Sequence, residues 1–272
     1  MAFRVRDAAE VHRLALARGV TDVPNHVGPM EMNIPTLQGI GQRLYLVDRY
    51  GSRGTIYDMD FEPFDGVPST PVGLTHIDHL THNVYPGNMD QWVCLYEDVF
   101  NFPELRYFDI EGKLTGLHSR AMTSPDGKIR VPINESAGDK SQIAKYLREY
   151  HGEGIQHVAL GTGGIFAAVE ALAARDVGFM DTPDACYDAP DARVPGDGED
   201  VDRLRANRIL LDGTQTEDQG LLLQIFTDTV FGPIFSELIQ YKGNEGFGES
   251  NFKALFDAIE GDQIRRGVLQ EE

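Results

Sequence analysis

The spacing of apolar and polar residues along the chain predicts strands and helices in a repeating order. Period-two alternation indicates strands, and apolar residues three and four positions apart indicate amphipathic helices. Three stretches share the order strand, helix, further strands, which predicts three βαβββ modules. Because one module cannot cover its own sheet face, we expect two modules to form one cup-shaped sheet with the third beside them. The expected fold class is α+β.

The first module is predicted within residues 1–62. Its elements are a strand at 2–5, a helix at 8–18 and strands at 30–34, 44–48 and 55–61. A linker containing Pro68 and Pro71 follows, so we place a domain boundary near residue 72. We therefore expect a partial N-terminal domain at 1–72 and a catalytic domain at 73–272.

The second and third modules are predicted in residues 77–133 and 155–239. The second has a strand at 77–84, a helix at 89–100 and strands at 106–110, 114–122 and 129–133. The third has a strand at 155–160, a helix at 165–175 and strands at 177–180, 209–212, 221–227 and 234–239. A helix is expected within 134–150, an acidic surface loop at 185–204, and, after a glycine-rich link, a C-terminal amphipathic helix that either forms a lid or packs on the domain.

Composition narrows the possible partners and compartment. The 272 residues are 41% hydrophobic and carry a formal charge of -19, which argues against nucleic acid or an anionic membrane as a partner. Cys94 and Cys186 have no disulfide or thiolate zinc spacing. No apolar run approaches the ~18 residues of a membrane helix, and the N-terminus lacks an apolar signal region. We expect a cytoplasmic protein.

Glu237 is a single carboxylate inside an apolar strand at residues 234–239. Period-two geometry puts Phe235, Glu237 and Ile239 on one face of that strand. A buried carboxylate without a partner costs several kcal/mol. It must therefore be protonated, paired with a base such as Lys242, or bound to a metal.

Two histidines occupy equivalent positions in the first strands of the second and third modules, His79 and His157. Each alone is more often an ordinary core or surface histidine, but in a two-module cup equivalent positions can converge. Two histidines and one carboxylate, with open positions, are typical of non-haem iron(II) oxygenases. His76 and His82 face away from His79 on a strand and stay unassigned. The chain has no G-x-S-x-G, P-loop, G-x-G-x-x-G or H-E-x-x-H motif, and Cys94 is interpreted as packing.

Several sequence blocks resemble those of the 4-hydroxyphenylpyruvate dioxygenases, a family of the vicinal-oxygen-chelate superfamily. They lie, in the family's order, at residues 77–84, 131–135, 141–143, 154–159, 222–226 and 246–256. The most specific is Gly-Phe-Gly-Glu-Ser-Asn-Phe-Lys-Ala-Leu-Phe, at 246–256. The resemblance implies glyoxalase-like βαβββ modules, two of them forming a barrel around a metal.

The resemblance also implies roles for individual residues. His79, His157 and Glu237 match the Fe(II) ligands. The polar residues matched to catalysis are Gln142, Gln156, Gln224 and Asn251. The residues matched to substrate binding are Ser119, Pro132, Asn134, Phe226, Phe235, Phe247 and Phe252.

The activity implied is the reaction of 4-hydroxyphenylpyruvate with dioxygen to give homogentisate, in tyrosine and phenylalanine catabolism. A 2-oxo acid can chelate iron(II), so an acidic protein needs no arginine to bind this anion. Two alternatives stay open. One is a 4-hydroxymandelate synthase, which oxidises the benzylic carbon instead, and the other is a catalytically silent relative that acts as a binding module.

The chain departs from the family pattern in three respects. The family has four modules in two domains, whereas this chain has three, and residues 1–62 resemble the second half of the N-terminal domain. We expect a truncated sequence or a shortened homologue, with apolar sheet surface that drives homo-oligomer formation. Tyr241 replaces the usual arginine of its block, and Ser236 is smaller than usual.

Overall fold

The described part of the chain forms two sheets with helices packed against them. The computed structural model describes residues 1–24, 34–58, 61–62, 64–66, 70–111, 116–138, 141–182, 187, 198–214, 220–243 and 253. The strands in these ranges are β1 Ala2–Arg4, β2 Thr36–Gly39, β3 Gln42–Val47, β4 Leu74–Val84, β5 Glu104–Glu111, β6 Gly116–Thr123, β7 Arg130–Ser136, β8 Gly154–Thr162, β9 Leu210–Thr214, β10 Gly220–Phe226 and β11 Phe235–Lys242. The helices are α1 Ala8–Ala17, α2 Met89–Phe100, α3 Gln142–Tyr150, α4 Ile165–Ala173 and α5 Val201–Ala206.

The larger sheet has eight strands in the order β5-β6-β7-β4-β8-β11-β10-β9. The first strands of the two modules, β4 and β8, are antiparallel neighbours at its centre, and each pairs in parallel with the last strand of its own module. The two halves of the sheet therefore have the same strand order. Side chains from β4 to β8, β10 and β11 line one cavity, so the sheet curves around it. The expected α+β fold with two modules forming a cup is confirmed.

The smaller sheet, β1-β3-β2, packs with α1 against the second module. Its Phe3 lies against Phe102, with ring centroids 5.8 Å apart. The shared apolar cluster includes Phe3, Leu37, Leu44, Leu46, Trp92, Tyr96, Phe102, Met122 and Ile133. Gly41, in the turn between β2 and β3, has a positive φ of +61°, and a Cβ there would overlap the backbone carbonyl of Glu153. One continuous apolar core thus contains residues from both sides of the expected domain boundary near residue 72.

Side-chain caps explain where several helices begin. The Asp7 carboxylate accepts a hydrogen bond from the Glu10 amide at the start of α1, and Ser141 accepts one from Ala144 at the start of α3. At the other ends of α2 and α3, Asn101 and His151 adopt left-handed conformations. These local signals agree with the helix positions expected from periodicity. None of the described helices is long and apolar enough to cross a membrane.

Three expectations about elements were wrong. No strand is seen in the described part of 55–61, because the Asp58 side chain accepts hydrogen bonds from the amide and hydroxyl of Thr55 and makes a turn. At 177–180 there is only an isolated bridge from Phe179 to Thr227. The expected loop at 185–204 contains the start of α5, which Asp200 caps by accepting from the Arg203 amide.

Two other expected elements fall largely outside the described residues. Of the strand expected at 30–34, only Ile34 is described, and β2 begins two residues later. The C-terminal helix, apart from Lys253, lies in a range that is not described. Those expectations stay predictions.

Candidate metal centre

The three ligand candidates converge at the centre of the cup. His79 Nε2 and His157 Nε2 lie 3.3 Å apart, and each is 3.2 Å from Glu237 Oε2. The strand register explains the convergence, because His79 on β4 and Glu237 on β11 both pair with Ala159 of β8. His157 lies two residues before Ala159 and so points to the same face. The small Ala159 side chain leaves space between the ligands.

These three residues fit a metal ion. They form one His/His/Glu group whose ligand atoms lie within 4.8 Å of one another, and all three are buried. An ion with bonds of ~2.0–2.2 Å can contact all three atoms from one side of the triangle that they form. Three protein ligands would leave coordination positions for other ligands.

The charges of the site favour a cation. Burial lowers the pKa of His79, but Glu237 and Asp78 outweigh it and raise that pKa to about 9. Burial raises the pKa of Glu237, but His79 and His157 together lower it to about 2. The pKa of His157 is lowered, first by burial and also by the neighbouring His79. Without metal, the site therefore holds one imidazolium against one carboxylate, and a metal ion would displace that proton.

The second oxygen of Glu237 is held by Gln224. Gln224 Nε2 donates to Glu237 Oε1 over 2.7 Å, and both side chains are buried. This hydrogen bond directs Glu237 Oε2 towards the two histidines. The side chain matched to catalysis by resemblance therefore contacts a candidate ligand and also lines the cavity.

The cavity above the metal centre contains about 490 Å³ of empty space, part of which is open to solvent. It is lined by His79, Thr81, Phe108, Ser119, Pro132, Asn134, His157, Gln224, Phe226 and Glu237. Sequence reasoning included all of these except Thr81 and Phe108. Thr81 could have been found, since it lies two residues after His79 and hence on the same strand face. Phe108 sits in a predicted strand whose inward face the sequence did not identify.

The remaining predicted site residues differ in where they lie relative to the cavity. Phe235 stacks on His157, with ring centroids 5.0 Å apart, and so forms part of the aromatic wall. Gln156 Oε1 accepts from His157 Nδ1 over 3.1 Å, which directs this amide to a candidate ligand. Gln142 is half-buried at the start of α3 and is not among the described lining residues. Phe247, Asn251 and Phe252 lie outside the described residues.

Asn83 and Asn134 form a buried amide pair on the wall of the cup. They pair in register across β4 and β7, so both point to the same face. Within the described part of the chain, neither side chain has a hydrogen-bond partner for its amide nitrogen or oxygen. Buried polar groups are rarely left this way, so this pair is suited to a water molecule or a ligand.

The two unassigned histidines lie outside the metal group. His82 is fully buried between the modules, where Gln42 Nε2 donates to its Nε2 over 2.8 Å and its Nδ1 donates to the Leu80 carbonyl. Burial lowers the pKa of His82 to about 3. The His76 side chain is mostly exposed. The choice of His79 as the inward histidine is consistent with these positions.

Comparison with known proteins agrees with the fold. Residues 1–62 match the model for the N-terminal domain of hydroxyphenylpyruvate dioxygenase, and residues 76–190 match that of the glyoxalase/bleomycin resistance protein/dioxygenase superfamily. The chain is 60% identical to a 4-hydroxyphenylpyruvate dioxygenase of Pseudomonas aeruginosa, over 99% of this chain and 76% of the relative. It is also 60% identical, with the same coverage, to the protein named hemolysin VllY of Vibrio vulnificus.

A solved structure gives the same result at the level of the fold. A mutant of 4-hydroxymandelate synthase from Streptomyces coelicolor matches with a TM-score of 0.77 and 27% identity, over 97% of this chain and 75% of that one. The fold, the site and the similar relatives together define a metal-binding dioxygenase of the glyoxalase superfamily. Within that class, the chain belongs to the 4-hydroxyphenylpyruvate dioxygenase family.

Proposed function

We propose that this protein is an Fe(II)-dependent enzyme that converts 4-hydroxyphenylpyruvate and dioxygen to homogentisate and carbon dioxide. The observation that carries the proposal is the buried group of His79, His157 and Glu237 at the base of a partly aromatic cavity. It occurs in a chain that is 60% identical to a 4-hydroxyphenylpyruvate dioxygenase. Tyrosine and phenylalanine breakdown is the metabolic context of this reaction.

The donor set supports iron(II) as the metal. Two imidazoles and one carboxylate with open positions form the facial arrangement used by non-haem iron(II) oxygenases. Bound iron(II) would supply the dioxygen chemistry that protein side chains lack. Glu237 offsets one of its two charges, so the loaded site stays positive. That charge favours an anionic 2-oxo acid even in a protein with a formal charge of -19.

The side chains around the metal have separate tasks in this proposal. Gln224 holds the Glu237 carboxylate, and Gln156 orients His157. Phe226 and Phe235 form an apolar wall that positions the substrate ring and limits water. Ser119, Pro132 and Asn134 would face the ring and its phenol, and the remaining assigned residues, Gln142, Phe247, Asn251 and Phe252, would complete the pocket.

Product analysis with oxygen uptake tests the proposal. Purified protein loaded with Fe(II) is given 4-hydroxyphenylpyruvate in air, and we expect oxygen uptake with homogentisate as the aromatic product. The structural match to a 4-hydroxymandelate synthase makes 4-hydroxymandelate the other product to measure. Finding that compound would assign the alternative activity, whereas tight iron binding without oxygen uptake would indicate the silent binding module.

We also propose the arrangement and setting of the enzyme. The metal centre belongs to a catalytic unit at 73–272, and residues 1–72 form an N-terminal unit that packs on it. The exposed Phe61 and Phe64, 65% and 88% accessible, support self-association into a homo-oligomer. The two cysteines, Cys94 and Cys186, have no disulfide spacing, which supports a reducing, cytoplasmic setting. Light scattering on purified protein measures the oligomeric state, and a monomer would contradict that part.

A further inference from the structure

A second buried carboxylate, Asp78, lies directly behind His79. Successive residues of a regular strand point to opposite faces, yet Asp78 and His79 are both buried, at 7% and 5% accessibility. The β4–β8 pairing shifts by one residue between Ile77 and His79, which is a β-bulge at Asp78. A bulge of this kind changes the direction of a side chain. Here it allows the Asp78 carboxylate to reach the ring of its own neighbour.

The contacts of Asp78 form a chain that leads from the ligand to the protein surface. His79 Nδ1 donates to Asp78 Oδ1 over 2.8 Å, and the Tyr241 hydroxyl donates to the same oxygen over 3.0 Å. Arg130 Nη1 donates to the Tyr241 oxygen over 3.1 Å and lies 3.6 Å from Asp78 Oδ2. The partly exposed guanidinium thus compensates the buried charge.

The two candidate histidine ligands have different hydrogen-bond partners at Nδ1. A carboxylate can only accept hydrogen bonds, so Asp78 keeps a proton of His79 on Nδ1. When a metal displaces the other proton, Nε2 is the atom left to bind it. At His157 the corresponding group is the neutral amide of Gln156. An anionic partner increases the basicity of its ligand more than an amide does.

We propose that Asp78 is a positioning residue of the metal centre, which orients His79 and strengthens its bond to the metal, and that Tyr241 and Arg130 hold Asp78 in place. The inference rests on the proposed metal site. The competing interpretation is a purely structural ion pair between Asp78 and Arg130. The distances favour the first interpretation, since Asp78 is 2.8 Å from His79 and 3.6 Å from Arg130.

Metal binding by the full-length protein tests the proposal without any activity assay. Metal-free wild type, D78A, D78N and Y241F are titrated with Fe(II) under anaerobic conditions against a competing chelator, and with Co(II) followed by its visible absorption. The matched control is E199Q. Glu199 is a mostly buried carboxylate that pairs with Lys242, the residue after Tyr241, and it has no described contact with His79.

Outer partners of metal-bound histidines typically contribute ~10–100-fold in affinity. We expect D78A to weaken Fe(II) binding near the upper end of that range and to shift the Co(II) absorption bands. D78N keeps an oxygen acceptor but loses the charge, so it should restore part of the affinity. Y241F should weaken binding less than D78A, and E199Q should bind as wild type does.

Several results would overturn the inference. One is that D78A or D78N binds Fe(II) within about twofold as tightly as wild type and has an unchanged Co(II) spectrum. The loss of an outer partner is expected to weaken binding at least ~10-fold. Another is an equal loss in D78N and E199Q, which would indicate general loosening. If D78A does not fold, D78N decides by the same criteria. Wild type that binds no divalent metal would overturn the proposed function as well, so the two failures are distinguishable.

Discussion

Replacing Glu237 by glutamine should separate the role of the carboxylate in metal binding from its role in the metal-free fold. The substitution keeps the shape of the side chain and the possibility of a hydrogen bond to Gln224. It removes the negative charge that lies 3.2 Å from both imidazoles, while the Asp78 carboxylate beside His79 stays in place. Outer partners already contribute ~10–100-fold, so loss of this inner ligand should weaken Fe(II) binding by more than about 100-fold. That factor corresponds to roughly 3 kcal/mol.

The metal-free protein should also lose stability. The pKa of His79 near 9, against an ordinary 6.5, corresponds to roughly 3 kcal/mol of interaction that Glu237 and Asp78 provide. Because the folded pKa of this histidine is raised, the stabilisation is complete below pH 6.5 and is lost as the pH rises through about 9. At pH 7 most of it is present. We therefore expect metal-free E237Q to lose up to ~3 kcal/mol at pH 7 and much less at pH 9.

Two measurements check this prediction. Anaerobic chelator competition gives the Fe(II) affinity, and urea unfolding of the metal-free protein at pH 7 and pH 9 gives the stability. Glu135→Gln is the control, since Glu135 accepts from the Met89 amide and is not among the described residues that line the cavity. Iron affinity of E237Q within about tenfold of wild type would refute the ligand role. Equal stability losses at the two pH values would refute the charge argument.

The remaining predictions concern the module interface and the wall of the cup. The pKa of His82 is about 3 in the folded protein and 6.5 in the unfolded chain, so only the unfolded chain takes up a proton between these pH values. The free energy of unfolding should therefore fall by ~1.4 kcal/mol for each pH unit of acidification. H82Q should flatten this slope in urea midpoints between pH 6.5 and 4.5, and an unchanged slope would contradict it. Gly41→Ala should lose at least ~2–3 kcal/mol because of its left-handed backbone and the clash with Glu153. Gly127→Ala, also at positive φ but facing open space, should lose less in the same unfolding assay, and equal losses would argue against a tight interface. Asn134→Leu should keep or slightly raise thermal stability while it lowers kcat/KM by about three- to tenfold, and unchanged kinetics would remove Asn134 from the substrate pocket.

The module order and the candidate ligands could be predicted because they depend on periodicity and repetition. The predicted bounds of the helix at 89–100 are those of α2, and the equivalence of His79 and His157 follows from the repeated first strand. Glu237 was identifiable because a lone carboxylate among apolar strand residues requires a partner. These signals are local, or they repeat along the chain.

The parts that could not be predicted depend on irregular geometry or on distant contacts. Strict alternation places Asp78 on the opposite face from His79, and only the bulge brings both inside. The turn at 55–58 arises from the Asp58 side chain, which an apolar pattern does not reveal. The fit of Gly41 against Glu153 joins residues far apart in sequence, and nothing in either segment indicates the other.

The internal symmetry of the cup explains why the metal centre has an open side. Each module contributes a first strand and a last strand to the middle of the sheet, so twofold symmetry provides four positions around the centre. His79 and His157 occupy the two first-strand positions, and Glu237 occupies one last-strand position, beside Ala159. In the second module, His82 of β4 pairs with Ile133 of β7. One residue earlier on β7 is Pro132, which therefore lies at the position equivalent to Glu237. Proline has no ligand atom in its side chain, and Pro132 lines the cavity. The second module thus leaves one of the four positions without a ligand, on the side where the substrate would enter.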